Sequence, residues 1–358
     1  FEEIIYQNPL AYKKRVLKDN HLKIDLNYGA INYKSNLSTQ EAFGNILNLI
    51  GKQKNKNINR IITTSPDVTV STSLGSWVNQ RSIFNRKEKY DYFKQKNVFS
   101  AQKWSYSNQG QHIELGIAEN NFFLLLAALG ISDRLFGVRI IPIGTIYDTF
   151  IGRGLDALNY ATYINAKFIL VGTPSGITLS HEGGAHQSIT TPNIGIAQPN
   201  LTYFEPSFAD ELNFLFIWAL NYIQEKNGTS VYFRLTTKKI IQPKRILTNK
   251  QKEDILLGAY WYKYIDKKND IVLITTGVMI AEVMKSYEAL INDGLNISVL
   301  LVVSPDKIYN DWHKLIKSNN KKSHIEKVLH NISLSASLIT IIDGHSSALS
   351  WIGSVLGH

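Results

Sequence analysis

The run G-Q-H-I-E-L-G-I-A-E at residues 110–119 passes directly into the apolar stretch N-N-F-F-L-L-L-A-A-L at 120–129. A strand-like G-V-R-I-I-P-I-G follows at 137–144, then Y-D-T-F-I-G-R-G-L-D at 147–156. A second apolar strand, F-I-L-V-G-T at 168–173, leads into the loop H-E-G-G-A-H-Q at 181–187. Strands and helices alternate through this stretch, and its three polar clusters fall at their ends. Open α/β sheets build their sites in that place, outside the carboxyl ends of the strands.

Upstream, residues 38–50 predict a helix. Ser38 and Glu41 have capping-box spacing, and Phe43, Ile46, Leu47 and Ile50 keep a helical period. Residues 60–64 predict a short strand ending in S-P-D-V-T-V at 65–70. Residues 79–109 are charged and aromatic without a clear period, and predict a long surface excursion. Downstream come an apolar run ending at Tyr203, a helix over 208–223 and a closing strand over 231–235. A second series follows: strand 271–276, helix 278–291, strands 297–303 and 338–342, and a helix from 348 onward. Strands alternating with helices argue for parallel sheets with right-handed crossovers. The fold class is therefore α/β with two parallel-sheet domains. The expected boundaries are a connector at 1–36, a first domain at 37–240, a linker at 241–255 and a second, incomplete domain at 256–358. A chain that starts without Met and stops inside a helical pattern is expected to be a piece of a longer protein.

Composition narrows the classes. A chain of 358 residues with 44% apolar residues can bury a core in each of two domains. The net charge of +10 invites a nucleic-acid reading. Its lysines, however, are scattered (Lys52, Lys54, Lys56; Lys238, Lys239; Lys321, Lys322) and build no single stripe along one element, so no nucleic-acid partner is expected. With no cysteine, disulfides, cysteine-based zinc sites and thiol nucleophiles are excluded. No stretch reaches the ~20 apolar residues of a membrane span, and the N-terminus lacks a signal-peptide layout. No membrane partner and a cytoplasmic location are the expectations.

Each candidate site residue has a plain reading beside the chemical one. Glu119 opens a helix, where a carboxylate gains from the helix dipole. Buried against the apolar wall behind it, the same carboxylate would instead share a proton with a heterocycle nitrogen. Tyr147 and Phe150 serve either as core or as a face for a flat ring. His181 and His186 are either surface residues of a glycine loop or, with Glu182 between them, a proton-transfer or oxyanion group. Their spacing suits no metal, and no metal ligands are expected in the chain.

Together and in this order, G-I-A-E, Y-D-T-F-I-G-R and G-G-A-H-Q resemble the pyrimidine-binding domain of the transketolase-like thiamine-diphosphate enzymes. The resemblance extends over roughly residues 37–358, with a C-terminal domain of the same family after the first. It is nearest to the homodimeric decarboxylating component of pyruvate dehydrogenase. The resemblance implies thiamine diphosphate as cofactor, an electron sink whose thiazolium carbon must lose a proton. Glu119 then matches the glutamate on the aminopyrimidine ring nitrogen, Phe150 the ring-stacking aromatic with Tyr147 beside it, and Arg153 and Asp67 further cofactor contacts. His186 matches the loop histidine that contacts substrate, and Glu182 and His181 the neighbouring H-E pair. The implied reaction is oxidative decarboxylation of a small 2-oxo acid, pyruvate being the commonest, within a dehydrogenase complex whose acyltransferase core accepts the product.

Departures are equally specific. The family's G-D-G motif, which holds the diphosphate and Mg2+ with a downstream asparagine, does not occur in this chain; N-D-G at 292–294 is a helix-ending turn. The diphosphate-binding domain is thus expected from a missing N-terminal portion or a partner chain, and the chain is expected to be a homodimer. Transketolase proper carries S-R-Q where L-T-T-K stands at 235–238, and a histidine where Pro174 stands. The alternatives are transketolase or deoxyxylulose-phosphate synthase activity, or a non-catalytic assembly subunit or fragment.

Overall fold

The computed structural model describes residues 34–87, 95–96, 98, 104–179, 182–266, 268–316 and 321–357. Strand β1 (Asn36–Leu37) precedes helix α1 (Thr39–Lys52), then come β2 (Ile61–Ser65), α2 (Gly75–Arg81), β3 (Ile83–Phe84), β4 (Tyr106–Ser107) and β5 (His112–Glu114). Helices α3 (Glu119–Gly130) and α4 (Ser132–Phe136) lead to β6 (Ile141–Ile146), α5 (Leu155–Tyr163) and β7 (Ile169–Gly172). Next are α6 (Thr191–Ala197), β8 (Leu201–Phe204), α7 (Ala209–Tyr222), β9 (Ser230–Arg234), β10 (Ile240–Ile241) and α8 (Asn249–Leu257). The remaining elements are β11 (Ala259–Lys263), β12 (Ile271–Thr275), α9 (Ile280–Asn292), β13 (Ile297–Val302), α10 (Pro305–Leu315), α11 (His324–Leu329), β14 (Ser337–Ile341) and α12 (Ser347–Ser350).

Eight strands form one sheet in the order β4-β3-β5-β2-β6-β7-β9-β8, with every pair parallel. A sheet of that kind is covered on both faces, and the alternation along its strands shows how. Ile141 and Ile143 of β6 join the core beneath α1 and α7, whereas Ile146 joins Phe122, Phe123 and Leu126 of α3 on the opposite face. Phe122 and Phe123 are fully buried. At roughly 2–3 kcal/mol for each large apolar side chain removed from water, they hold the start of α3 against the sheet.

A second sheet runs β11-β13-β12-β14. Its inner pairs are parallel, and β11 adds an antiparallel edge that the alternating pattern did not predict. Leu273, Val299 and Leu301 from this sheet share one buried cluster with Leu212 and Phe216 of α7. Helix α7 is therefore packed on both sides, which explains why its sequence is apolar nearly all round.

The capping box of α1 is present: the Ser38 hydroxyl accepts from the Glu41 amide, and the Glu41 carboxylate accepts from the Ser38 amide. Two expectations need correction. The excursion at 79–109 starts within α2 and contains β3 and β4, which pair at the edge of the sheet; residues 88–94, 97 and 99–103 lie outside the described residues. The linker at 241–255 is helical from Asn249. Before that, Arg245 pins it to α7 through ion pairs to Asp210 (2.7 Å) and Glu211 (3.0 Å). Among the described residues no helix is long and apolar enough to cross a membrane.

Candidate functional site

The three polar clusters meet at the carboxyl ends of β6 and β7. Tyr147 follows β6 directly, and a 3-10 turn over Asp148–Gly154 carries Phe150 and Arg153. That turn lies tight against the start of α3. A Cβ on Gly154 would stand 2.4 Å from the Phe123 ring and 2.9 Å from the Glu119 carbonyl, so only glycine permits the approach.

Glu119 is 9% exposed at the first turn of α3. Its Oε1 receives an N–H of Arg153 at 2.7 Å, and the Arg153 guanidinium lies 3.8 Å above the Phe150 ring. Phe150 and Tyr147 are parallel, 5.9 Å between centroids and 8° apart in plane. His186 stands edge-on to both rings, at 5.4 and 5.5 Å. Its Nδ1 is 3.0 Å from the Glu182 carbonyl oxygen; donation there would leave Nε2 as the acceptor. Burial pushes the Tyr147 phenol up; a hydrogen bond with Ser71 opposes this, and contact with the Glu182 carboxylate adds to it. The fold thus gathers Glu119, Tyr147, Phe150, Arg153, Glu182 and His186 at one place.

Asp67 is exposed, with φ +62, on the loop that also carries Ser71. Its backbone amide donates to Glu114 at 2.7 Å. His181 lies outside the described residues.

Two further clusters escaped the sequence reading. Glu114 accepts from the Asp67 amide (2.7 Å), from Ser65 (3.2 Å) and from Thr69, and stands 3.4 Å from Nε2 of the fully buried His112. Burial alone would raise the Glu114 carboxyl; His112, Thr69 and the Asp67 amide outweigh it and hold the group below its ordinary value. His112 and Glu114 are two apart on β5 and so face the same side, the one signal that could have found them. Second, Asp148 accepts from Ser188, Thr191 and Tyr232 and pairs with Arg234 at 3.0 Å. Arg234 also pairs with Glu205 at 2.9 Å and donates to the Asp343 carbonyl at 2.8 Å. Burial would lower the Arg234 guanidinium, but these carboxylates raise it well above its ordinary value. A cleft of about 930 Å³ lies elsewhere, between α8, α10 and α11 and lined by Trp261, Tyr264 and Lys327.

The cofactor implied by the motifs can be tested against this geometry. Arg153 presents a planar, cationic group with an N–H on Glu119 and its flat face on Phe150. A flat ring with an N–H donor makes the same two demands, so the slot suits an aminopyrimidine once Arg153 moves aside. Glu119 and Phe150 would hold that ring, with Tyr147 and His186 as the adjoining wall.

The sequence and the fold both have counterparts among known proteins. The family described as transketolase, pyrimidine binding domain, matches residues 35–241. A 6-deoxy-6-sulfo-D-fructose transketolase subunit from Clostridium sp. (strain MSTE9) is 25% identical over 57% of this chain and 58% of its own length. The pyruvate dehydrogenase E1 component of Mycolicibacterium smegmatis is 26% identical over 67% of this chain and 26% of its own, and Escherichia coli transketolase 2 is 26% identical over 55% and 28%. The chain thus spans between about a quarter and three fifths of the length of these relatives. Among solved structures, transketolase from Campylobacter jejuni superposes with a TM-score of 0.68 at 18% identity, over 96% of this chain and 45% of that one. A structure titled split gene transketolase, inactive beta4 tetramer, gives 0.57 at 17% identity, over 90% and 87%. With the pyrimidine-binding domain matched across more than half its length, this chain belongs to the transketolase-like thiamine-diphosphate enzyme family.

Proposed function

We propose that this chain supplies the pyrimidine-binding half of a thiamine-diphosphate site, in an enzyme that cleaves a carbon–carbon bond next to a carbonyl. The observation that carries this reading is the nearly buried Glu119 carboxylate, which holds Arg153 over the face of the Phe150 ring. When bound, thiamine diphosphate supplies the electron sink for that cleavage. Glu119 holds a proton at the pyrimidine nitrogen, and the low exposure of its carboxylate strengthens the interaction. Phe150 and Tyr147 fix the ring plane, Arg153 withdraws from the face it covers, and His186 presents Nε2 to the substrate side of the same wall. Glu182, against the Tyr147 hydroxyl, sets the position of the loop that carries His186.

For the substrate, we favour a small 2-oxo acid of the pyruvate type, on the H-E pair at 181–182 and on L-T-T-K at 235–238 in place of a phosphate-binding arginine. Lys238, the cation within that segment, is paired with Glu282 at 2.9 Å. Transketolase chemistry is the second reading, supported by transketolases among the relatives at equal identity. Both readings place the diphosphate and its Mg2+ on another polypeptide or an upstream portion, and the dehydrogenase reading adds an acyltransferase core as acyl acceptor. The relative named as a subunit and the inactive tetramer of a split transketolase support a chain that assembles without acting alone. The test is reconstitution with a diphosphate-binding subunit, followed by assay of carbon dioxide release from pyruvate and of two-carbon transfer between sugar phosphates. Release without transfer supports the first reading, transfer without release the second. Neither, in an assembly that does bind the cofactor, leaves the chain a non-catalytic assembly subunit.

A further inference from the structure

Asp343 lies just past β14, at the end of the second sheet, and is 5% exposed. Its carboxylate is spent on the main sheet's side of the boundary, on the segment that leaves β7. One oxygen accepts the Ile177 amide at 2.8 Å; the other accepts the Thr178 amide at 3.3 Å and the Thr178 hydroxyl. Gly176, at φ +75, makes this approach possible, since a Cβ there would stand 1.9 Å from the carboxylate. Arg234 braces the same place by donating to the carbonyls of Asp343 (2.8 Å) and Ser188 (3.2 Å).

From this anchor an unbroken series of bonds leads to His186. Leu179, next to Thr178, gives its carbonyl to the Glu182 amide at 3.2 Å. The Glu182 carbonyl is in turn 3.0 Å from Nδ1 of His186. Beyond His186, the Ser188 hydroxyl donates to Asp148 and accepts the Gly176 amide at 3.1 Å, which ties the exit of the segment to its entry. Glu119 and Arg153 bond to one another and stand outside this series.

We propose that Asp343 is a positioning residue for His186, through which the second sheet sets the substrate side of the site. The inference rests on the substrate-side role proposed for His186. Charge-assisted bonds to two successive amides fix the direction in which the segment leaves β7, and a neutral side chain holds it less firmly. Loss of that hold loosens the His186 ring and leaves the contacts of Glu119 with Arg153 and Phe150 as they are.

The first test uses the full chain with isotopically labelled histidine at about pH 8.5, where nitrogen resonances show which atom of a neutral imidazole carries the proton. Wild-type His186 should carry it on Nδ1. Asp343→Asn should lose most of that preference, because in either orientation a side-chain N–H then faces a backbone N–H. Thr178→Val removes one donor, leaves Asp343 charged, and should shift the ring in the same direction by less. Ser347→Ala removes a different bond between the two sheets' helices, to Asn193 at 3.0 Å, and should leave His186 as in wild type. In the reconstituted enzyme, Asp343→Asn should lower kcat about 10–100-fold while affinity for thiamine diphosphate stays within about twofold. A reconstituted wild type without turnover defeats the proposed function alone, and the ring measurement still decides the role of Asp343. A wild-type ring protonated on Nε2, an unchanged ring in Asp343→Asn, an equal change in Ser347→Ala, or cofactor affinity falling in step with kcat would each overturn the proposal. If Asp343→Asn does not fold, Thr178→Val decides, and an unchanged ring there overturns it.

Discussion

At the residue scale, Glu119 carries the functional reading, and one substitution separates its two roles. Glu119→Gln keeps the size and a hydrogen bond to Arg153 but cannot hold a shared proton. In the complete enzyme, activity should fall roughly 10²–10⁴-fold with the fold intact. A residue that served only the helix dipole would cost below about 1 kcal/mol of stability and leave turnover normal. Hydrogen–deuterium exchange at the thiazolium carbon of the reconstituted enzyme decides between them, equal rates in wild type and variant rejecting the proton-holding role. The letters around Glu119, Tyr147, Phe150 and His186 were legible because each sits in a short run of distinctive neighbours. The pairing of Arg153 with Glu119 was not legible. It joins residues 34 apart, and only the turn that Gly154 permits brings them together.

At the scale of elements, α10 offers a titration with a definite sign. Asp306, in its first turn, is buried, and burial pushes its carboxyl from an ordinary 3.8 up to about 6, against the Ser304 hydroxyl that donates to it at 2.6 Å. A carboxyl with a raised folded value favours folding while protonated. Its penalty begins above the unfolded value and is complete above the folded one. Asp306→Asn should therefore gain stability relative to wild type between about pH 4 and pH 7, by on the order of 2–3 kcal/mol. Urea midpoints at the two pH values measure it, and a gap that stays constant with pH would refute the assignment. Helix α10 went unread in the sequence although Pro305 at its start and Ile308, Trp312 and Leu315 at helical spacing were a signal for it. Strand β11 was missed because its antiparallel pairing with β13 belongs to no βα crossover. The central strands β2, β6, β7 and β9 were legible, by contrast, since burial on both faces makes them apolar runs, whereas the short β3, β4 and β5 were not.

At the scale of the whole molecule, the two sheets are joined by chemistry as well as by packing. Arg234 of β9 neutralises Asp148 and Glu205 and bonds to the Asp343 carbonyl beyond β14. Arg234→Met would strand two buried carboxylates and should cost roughly 3–5 kcal/mol, read as a shift in the denaturant midpoint; a loss under about 1 kcal/mol would mean the carboxylates simply take up protons. No sequence period announces such a network, because its members come from four separate strand ends. Assembly follows from what the same core leaves outside. In the apolar run after Glu119, Phe122, Phe123, Leu126 and Ala127 are spent on the chain's own core. What remains in water around them is Ile117 (77% exposed), Leu124 (46%), Tyr160 (58%) and Tyr163 (82%), on and beside the packed helices α3 and α5. Large apolar side chains grouped beside a half-built site mark a contact with another polypeptide. The chain should therefore sediment as a dimer or larger, and Tyr163→Glu with Ile117→Glu should shift it towards monomer without unfolding it. If the proposed wall of Glu119, Tyr147 and Phe150 holds the ring, a chain without a G-D-G motif for the diphosphate should bind thiamine diphosphate weakly or not at all by itself, as calorimetry would show. Addition of a diphosphate-binding partner should create tight, magnesium-dependent binding. Micromolar, magnesium-dependent binding to the chain by itself would show that the diphosphate site lies within these residues after all, and a stable monomer at high concentration would remove the interface from the argument.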